Sequence, residues 1–172
     1  MPMSRIEVFL KQNNAIYKTL SHSRAYTAPE VAESAHIRGK RLAKAVMVNV
    51  DGMLVMMVIP ASYQLCLESM RDTLAAQSIE LASEAEFAEH FKNCELGALP
   101  PFGSLYGVPV YAAAEFDADE EIACSAGTHT QLLQMRWDEY LRLEKPEILG
   151  GVVTSPGVTP PKMTYRRGRT RL

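Results

Sequence analysis

The segment Cys94–Gly103, CELGALPPFG, is the part of this sequence whose residue types and spacing are best suited to catalysis by backbone amides. Pro100 and Pro101 hold φ near about −65° and carry no amide hydrogen, so they stiffen the chain that presents the neighbouring amides. Gly97 and Gly103 permit positive φ and close approach of a ligand. Fixed amides that line a dry cavity can hold an ester carbonyl as it becomes an oxyanion. The alternative is a tight crossover that only packs under the sheet.

A lysine and a histidine are candidates to act with this segment. Lys44 lies at the start of the apolar run AKAVMVNV, where a lysine either snorkels outward or serves a function. His129 follows an apolar strand and a glycine in AGTHT, where the adjacent threonines could equally satisfy it as a structural residue. Cys94 is a weaker candidate for a nucleophile, because the carboxylate of the adjacent Glu95 disfavours a thiolate.

Helix signals occur in five segments. Three capping boxes, Ser4–Glu7, Thr27–Glu30 and Ser83–Glu86, predict helices over residues 4–13, 27–34 and 83–92. The segments SYQLCLESMRDTLAA and WDEYLRL are predicted to form the other two helices.

Strand signals are more numerous. The dipeptide Asp51-Gly52 between AKAVMVNV and MLVMMVIP predicts a β-hairpin with a two-residue turn. The segments AIYKTL, IELA, VPVYAA, EIACSAG and QLLQM are also predicted to be strands. Because the elements do not alternate regularly as βαβ units, we expect an α/β (mixed α+β) fold. It would be a single compact domain with a mixed β-sheet flanked by helices.

The charges divide the chain into an acidic body and a basic tail. Five of the 18 Lys and Arg residues lie in residues 151–172, which contain no acid, so residues 1–150 carry 13 basic and 20 acidic residues. We expect a folded domain over residues 1–149 and a flexible basic tail over residues 150–172. The tail either meets an anionic partner or is a solvated terminus with no specific role.

The composition also disfavours several classes of protein. No run of about 18 apolar residues predicts a membrane span, and the N-terminus lacks the apolar segment of a secretory signal. The three cysteines are widely spaced and form no CxxC pair. We therefore expect neither a zinc site nor a disulfide framework, no metal or other cofactor, and reduced thiols in a cytoplasmic protein.

Three of these features occur in an order that is typical of one family. The order is a lysine at a strand start before a β-hairpin, then GALPPFG, then a strand followed by AGTH. This order resembles the YbaK / prolyl-tRNA synthetase-associated family of trans-editing aminoacyl-tRNA deacylases. The loop matches as G-x-x-x-P-x-G, at Gly97, Pro101 and Gly103, and the similarity covers about residues 4–148. It implies a compact mixed α/β domain with a pocket between the loop and the sheet. Such a domain hydrolyses the ester between a wrong amino acid and the 3′-terminal adenosine of tRNA.

The resemblance also implies which residues act. The catalytic residues would be Lys44, Gly97, Ala98 and Gly103. The substrate-binding residues would be Thr27, Pro101, Phe102, Gly127 and His129. Within this set His129 would border the amino-acid pocket, and Phe102 or Tyr106 could stack on the terminal adenine. The phosphates of tRNA would be met by the tail residues Arg166, Arg167, Arg169 and Arg171.

One departure from the family pattern keeps a second hypothesis open. Many members carry an aspartate near the end of the strand after the loop, where this chain has Ala112–Ala114 and a displaced Glu115 or Asp117. The amino acid that is removed therefore stays open. The alternative function is a non-catalytic module that binds a small ligand or an RNA end in association with a tRNA synthetase. In either case the expected partners are the tRNA acceptor end and a synthetase, with no membrane.

Overall fold

The fold consists of ten strands and five short helices within the part of the chain that the structure describes. The computed structural model describes residues 4–22, 24, 28–35 and 37–155. The strands are β1 Lys18–Ser21, β2 Leu42–Val50, β3 Met53–Pro60, β4 Gln64–Leu65, β5 Ile79–Leu81, β6 Val110–Ala113, β7 Glu121–Ser125, β8 Gln131–Arg136, β9 Glu147–Leu149 and β10 Val153–Thr154. The helices are α1 Arg5–Gln12, α2 Ala28–Ser34, α3 Leu67–Thr73, α4 Glu84–Phe87 and α5 Trp137–Glu144, with 3₁₀ helices at Gly39–Arg41 and Gly103–Tyr106.

Eight of the strands form one mixed sheet. Its order is β1-β8-β7-β2-β3-β6-β9, and β5 pairs with β2 beside this path. The pairs β2–β7, β3–β6 and β6–β9 are parallel, whereas β1–β8, β7–β8, β2–β3 and β2–β5 are antiparallel. The predicted α+β domain with a mixed sheet is therefore confirmed.

Local sequence signals explain where several elements begin and turn. Ser4 and Glu7 form both hydrogen bonds of a capping box at α1, and Ser83 and Glu86 do so at α4. Asp51 and Gly52 join β2 to β3 with positive φ at both residues, +49° and +82°. The predicted hairpin and these two capping boxes are thus confirmed. The third predicted box begins at Thr27, which lies outside the described residues.

Two predicted helices are shorter in the structure. The helix predicted over residues 83–92 ends at Phe87, and the chain continues in turns with hydrogen bonds three residues apart, such as His90 N to Phe87 O at 3.0 Å. The helix predicted over residues 62–76 is limited to α3, because β4 precedes it and pairs with β10. The Cys66 amide also donates to Val152 O at 2.8 Å, so distant strand pairing replaces the first helical turn.

The strands β9 and β10 have no counterpart among the predicted elements. Val152 is fully buried and β10 follows it, so the packed chain continues beyond residue 149 to at least Thr154. Residues 156–172, with all four of the predicted tail arginines, lie outside the described residues. None of the described helices has the length and apolar character that a membrane crossing requires.

Candidate functional site

The parallel pairing of β2 with β7 builds one side of a small cavity. Leu42 lies beside Ala123, and Ala43 beside Cys124, so the next residues along the two strands are Lys44 and Ser125. The cavity has a volume of about 170 Å³. Its lining includes Val31, Leu42, Lys44, Glu84, Phe87, Gly97, Leu99 and Ser125. Lys44 and Gly97, which the sequence predicted to act together, therefore line the same cavity.

Lys44 is a half-buried cation in this cavity. It lies on β2 between Ala43 and Ala45. Burial lowers the pKa of its ammonium group. Within the described residues, no hydrogen bond or ion pair compensates for this loss of hydration. An anionic group that entered the cavity would raise the pKa again.

The loop opposite Lys44 presents backbone donors. Gly97 has φ of +87°, the left-handed region that glycine adopts without strain. In the described part of the chain, the amides of Gly97 and Leu99 donate to no protein acceptor. The amide of Ala98 is already used, because it donates to Glu95 O at 3.0 Å. Gly97 and Leu99, the two loop residues that line the cavity, are therefore the candidate donors rather than Ala98.

Glu95 fastens the loop to the turn that follows β7, and sequence reasoning missed this role. Its Oε2 accepts a hydrogen bond from the His129 amide at 2.6 Å, and its Oε1 accepts one from Arg24 at 3.0 Å. Its own amide donates to Gly127 O at 2.8 Å. The His129 amide, followed by the Arg24 guanidinium, holds the pKa of Glu95 below its usual value. The only signal in the sequence was a carboxylate in an otherwise apolar loop.

Gly127 and His129 are packed beside the loop and do not line the cavity. His129 is buried, with 7% of its surface exposed. Gly127 has φ of +98°, and a Cβ there would lie 3.5 Å from the Cys94 sulfur. Their predicted contact with substrate stays a prediction, as does that of Thr27, which lies outside the described residues.

The second half of the motif packs into the core and is not available to a substrate. Phe102 is fully buried, and its ring centroid lies 5.9 Å from that of Phe9 and 5.2 Å from that of Tyr140. The carbonyl of the buried Pro101 accepts a hydrogen bond from the Tyr140 hydroxyl at 2.6 Å. The expectation that Phe102 stacks on adenine and that Pro101 contacts substrate is therefore corrected, because both are structural. Tyr106 is also buried, 8% exposed, and its predicted stacking on a base stays a prediction.

Gly103 is a packing residue as well, and its predicted catalytic role stays a prediction. A Cβ on Gly103 would lie 2.7 Å from Val110 Cγ2 and 2.8 Å from Val108 O. No other residue fits at this position without movement of the neighbouring strand. In the pattern G-x-x-x-P-x-G, the first glycine lines the cavity and the last one permits close packing.

Cys94 lacks the environment of a nucleophile. Burial raises the pKa of its thiol, and the thiol donates to the Tyr106 hydroxyl at 3.4 Å. The expectation that Cys94 is inert is consistent with both observations. Among the described residues, no group of three His, Cys, Asp or Glu side chains is arranged to hold a metal ion.

A larger cavity lies at the β1–β8 side of the sheet and contains none of the predicted residues. Its volume is about 530 Å³, and Tyr17, Arg136 and Arg142 are among the residues that line it. Its arginines are already paired with acids of the same region, Arg136 with Asp138 and Arg142 with Glu139.

The fold agrees with comparisons to known proteins. The model of the aminoacyl-tRNA editing domain matches residues 22–143. The chain belongs to the aminoacyl-tRNA editing domain family. This membership confirms the predicted activity, so the protein is an enzyme, an aminoacyl-tRNA deacylase that acts in editing.

Individual relatives of this editing domain are consistent with the family. The chain is 29% identical over 153 residues to the multifunctional Ser/Thr-tRNA deacylase ProXp-y of Escherichia coli K12, with 84% of this chain and 89% of that protein covered. It is 30% identical over 86 residues to the proline–tRNA ligase of Geobacillus thermodenitrificans, which is 50% of this chain and 15% of the ligase.

Solved structures share the fold of this editing domain. A hypothetical protein, APE2540, superimposes with a TM-score of 0.78 at 18% identity, over 88% of this chain and 100% of that chain. A protein proposed to be a trans-editing enzyme for prolyl-tRNA synthetase superimposes with a TM-score of 0.74 at 17% identity, over 87% of this chain and 98% of that chain.

The packing role of Gly103 predicts a stability effect. We expect Gly103→Ala to lower the free energy of unfolding by about 1–3 kcal/mol, because the added methyl group overlaps Val110 and the backbone of Val108. Gly150→Ala is the control, since its Cβ would meet only the Ala114 side chain at an ordinary 3.9 Å. Urea unfolding of both variants measures the effect. Equal stability of the two variants would contradict the assignment of Gly103 to packing.

Proposed function

We propose that the cavity between Lys44 and Gly97 is where the protein removes a small amino acid from the acceptor end of a mischarged tRNA. The observation that carries this proposal is that one small cavity is lined by a cation and by two residues whose amides have no acceptor among the described residues. The ester carbonyl needs these two kinds of group when it becomes an oxyanion.

The proposed reaction is hydrolysis of an already activated ester, so it requires no nucleophilic triad. The amides of Gly97 and Leu99 polarise the carbonyl, and water adds to the carbonyl carbon. The bond to the ribose oxygen then breaks, the ribose oxygen takes the proton, and the free amino acid leaves. The Lys44 ammonium group stabilises the developing negative charge or the 3′-terminal phosphate. Either anion opposes the effect of burial on the pKa of Lys44 and keeps the amine protonated.

The size and lining of the cavity support a small amino acid as the substrate. Its volume of about 170 Å³ is below the range of roughly 300–1,000 Å³ that is usual for pockets of drug-sized ligands. Ser125 and Glu84 add a hydroxyl and a carboxylate to an otherwise mostly apolar lining. The E. coli relative is named a Ser/Thr-tRNA deacylase. We therefore propose that serine and threonine are the amino acids removed.

Glu84 compensates for the missing strand-end aspartate in this proposal. Ala112 and Ala113 are buried on β6, which is separated from β2 by β3. The carboxylate that lines the cavity is instead Glu84, from the first turn of α4. We assign it to the α-ammonium group of the aminoacyl moiety, which carries the opposite charge.

The activity of Lys44 variants tests the proposed site. We expect Lys44→Met to lower the deacylation rate of a tRNA mischarged with serine by about 100-fold, since the cation is lost while the apolar stem is kept. Lys92→Met is the matched control, because Lys92 is exposed and its ion pair among the described residues is with the exposed Glu89. Single-turnover hydrolysis measures both variants. Full activity of Lys44→Met would rule out the proposed site.

A panel of labelled mischarged tRNAs tests the proposed specificity of the enzyme. We expect serine and threonine to be released from their mischarged tRNAs. Release of other amino acids, with serine and threonine retained on the tRNA, would contradict the proposed specificity.

We also propose that the basic tail contacts tRNA phosphates and that the protein works with a synthetase in the cytoplasm. The partial match to a proline–tRNA ligase supports the association with a synthetase. The arginines Arg166, Arg167, Arg169 and Arg171 are suited to bind phosphates irrespective of sequence.

The salt dependence of binding tests the tail. We expect deletion of residues 156–172 to weaken tRNA binding at low salt. It should also reduce the slope of log affinity against log salt by roughly one for each lost phosphate contact. Turnover at saturating substrate should change little, since the cavity lies in the body. An unchanged slope would remove the tail from the proposal.

A further inference from the structure

Two side chains on one face of α5 hold the end of the loop that carries Gly97. Tyr140 and Glu144 are four residues apart, so both project from the same side of the helix. The Tyr140 hydroxyl donates to Pro101 O at 2.6 Å. The Glu144 carboxylate accepts from the Ser104 amide at 3.2 Å and from the Ser104 hydroxyl at 2.8 Å. The Phe102 ring lies against the Tyr140 ring between these two attachments.

We propose that Tyr140 and Glu144 are positioning residues, which brace residues 97–104 so that the amides of Gly97 and Leu99 stay fixed at the cavity. The inference rests on the proposed function of this loop. Neither side chain lines the cavity, so neither touches the substrate. Their effect is transmitted by the backbone between Gly97 and Ser104.

The choice of a carboxylate supports a role beyond packing. Glu144 is buried, 8% exposed, and no salt bridge to it is found among the described residues. Burial of an unpaired carboxylate is unfavourable, and an apolar side chain of similar volume would stabilise the fold more. The carboxylate does what an apolar side chain cannot do, since it accepts hydrogen bonds from both donors of Ser104.

The surroundings of Glu144 make the brace sensitive to protons near neutral pH. Burial raises the pKa of Glu144 to about 7, although the bonds from Ser104 oppose this shift. Tyr140 on α5 is a neighbouring titratable group, and Tyr140 in turn is influenced by Cys124 on β7. Burial raises the pKa values of Tyr140 and Cys124, so both are neutral at this pH. On the α1 side, the Arg5 guanidinium donates to Leu105 O at 3.3 Å. The ionised carboxylate accepts both hydrogen bonds from Ser104. In the protonated form one of the two oxygens carries a hydrogen atom, so only the other oxygen accepts as before.

Stability and bracing therefore respond to pH in opposite directions. Since the pKa of Glu144 is higher in the folded than in the unfolded chain, the folded state binds more protons between the ordinary value of 4.5 and about 7. The free energy of unfolding falls as pH rises through this window. The brace, in contrast, becomes stronger as the carboxylate ionises. A purely structural role for Glu144 would make activity follow stability instead.

The test compares Glu144→Ala, Glu144→Gln and the control Glu147→Ala, which removes an exposed carboxylate from β9. The readouts, at pH 8, are hydrogen exchange of residues 97–106 and deacylation of a tRNA mischarged with serine. We expect Glu144→Ala to speed exchange and to lower kcat by about tenfold with little change in KM, because the donors are misplaced. Glu144→Gln should give intermediate values of both, since its carbonyl still accepts from the Ser104 amide, whereas its NH₂, like the O–H of the protonated carboxyl, can only donate to the Ser104 hydroxyl.

The pH profile isolates the protonation of Glu144. The ratio of the wild-type kcat to that of Glu144→Gln cancels the pH dependence that both enzymes share. We expect this ratio to fall as pH is lowered from 8 to 6. A constant ratio would contradict the proton sensitivity of the brace.

The outcomes separate the brace from the proposed site. Unchanged exchange in Glu144→Ala would overturn the brace, whatever the activity. Faster exchange with unchanged kcat would overturn the positioning role. An incorrect assignment of the catalytic cavity would be detected by a different experiment, as full activity of Lys44→Met in single-turnover hydrolysis. If Glu144→Ala does not fold, Tyr140→Phe removes only the bond to Pro101 O, and it should also speed exchange and lower kcat.

Discussion

The site depends on the need of a partly buried, irregular loop to find hydrogen-bond partners outside itself. Residues 94–102 belong to no strand or helix, so other parts of the chain must hold them. Glu95 ties the start of the loop to the turn after β7, and Tyr140 holds its end at Pro101. Between these attachments, the amides of Gly97 and Leu99 have no acceptor in the described part of the chain. This constraint leaves two fixed donors at the cavity.

On the side of the sheet, the cavity also depends on a single feature, the pairing of β2 with β7. The parallel pair β2–β7 puts Lys44 close to Ser125, and the turn that begins after Ser125 is the one to which Glu95 binds. One strand pairing therefore sets the positions of the cation and of the loop together. Burial makes the Lys44 ammonium group less favourable in the free protein. That unfavourable burial is relieved when an anion binds, which favours a phosphate or an oxyanion over a neutral ligand.

Local signals and the order of motifs predicted much of this arrangement. The capping boxes at Ser4 and Ser83 and the turn at Asp51-Gly52 are encoded within a few residues, so the sequence reveals them. The pairing of β4 with β10 joins residues that are far apart in the chain, and no local pattern indicates it. The same holds for Glu95, which binds an amide 34 residues away, and for Glu144, which binds Ser104 40 residues away. Phe102 was assigned to adenine binding although its ring is buried, because packing and cavity-lining residues occur together within one short motif.

The most direct test of the account is the binding of a non-hydrolysable amide analogue of 3′-seryladenosine, observed by NMR. The account predicts that the largest shifts of backbone amides occur at Gly97 and Leu99. It also predicts that the pKa of the Lys44 amine rises in a longer analogue that carries the 3′-terminal phosphate. Shifts confined to the larger cavity, at Tyr17 and Arg136, with Gly97 and Leu99 unaffected, would contradict it.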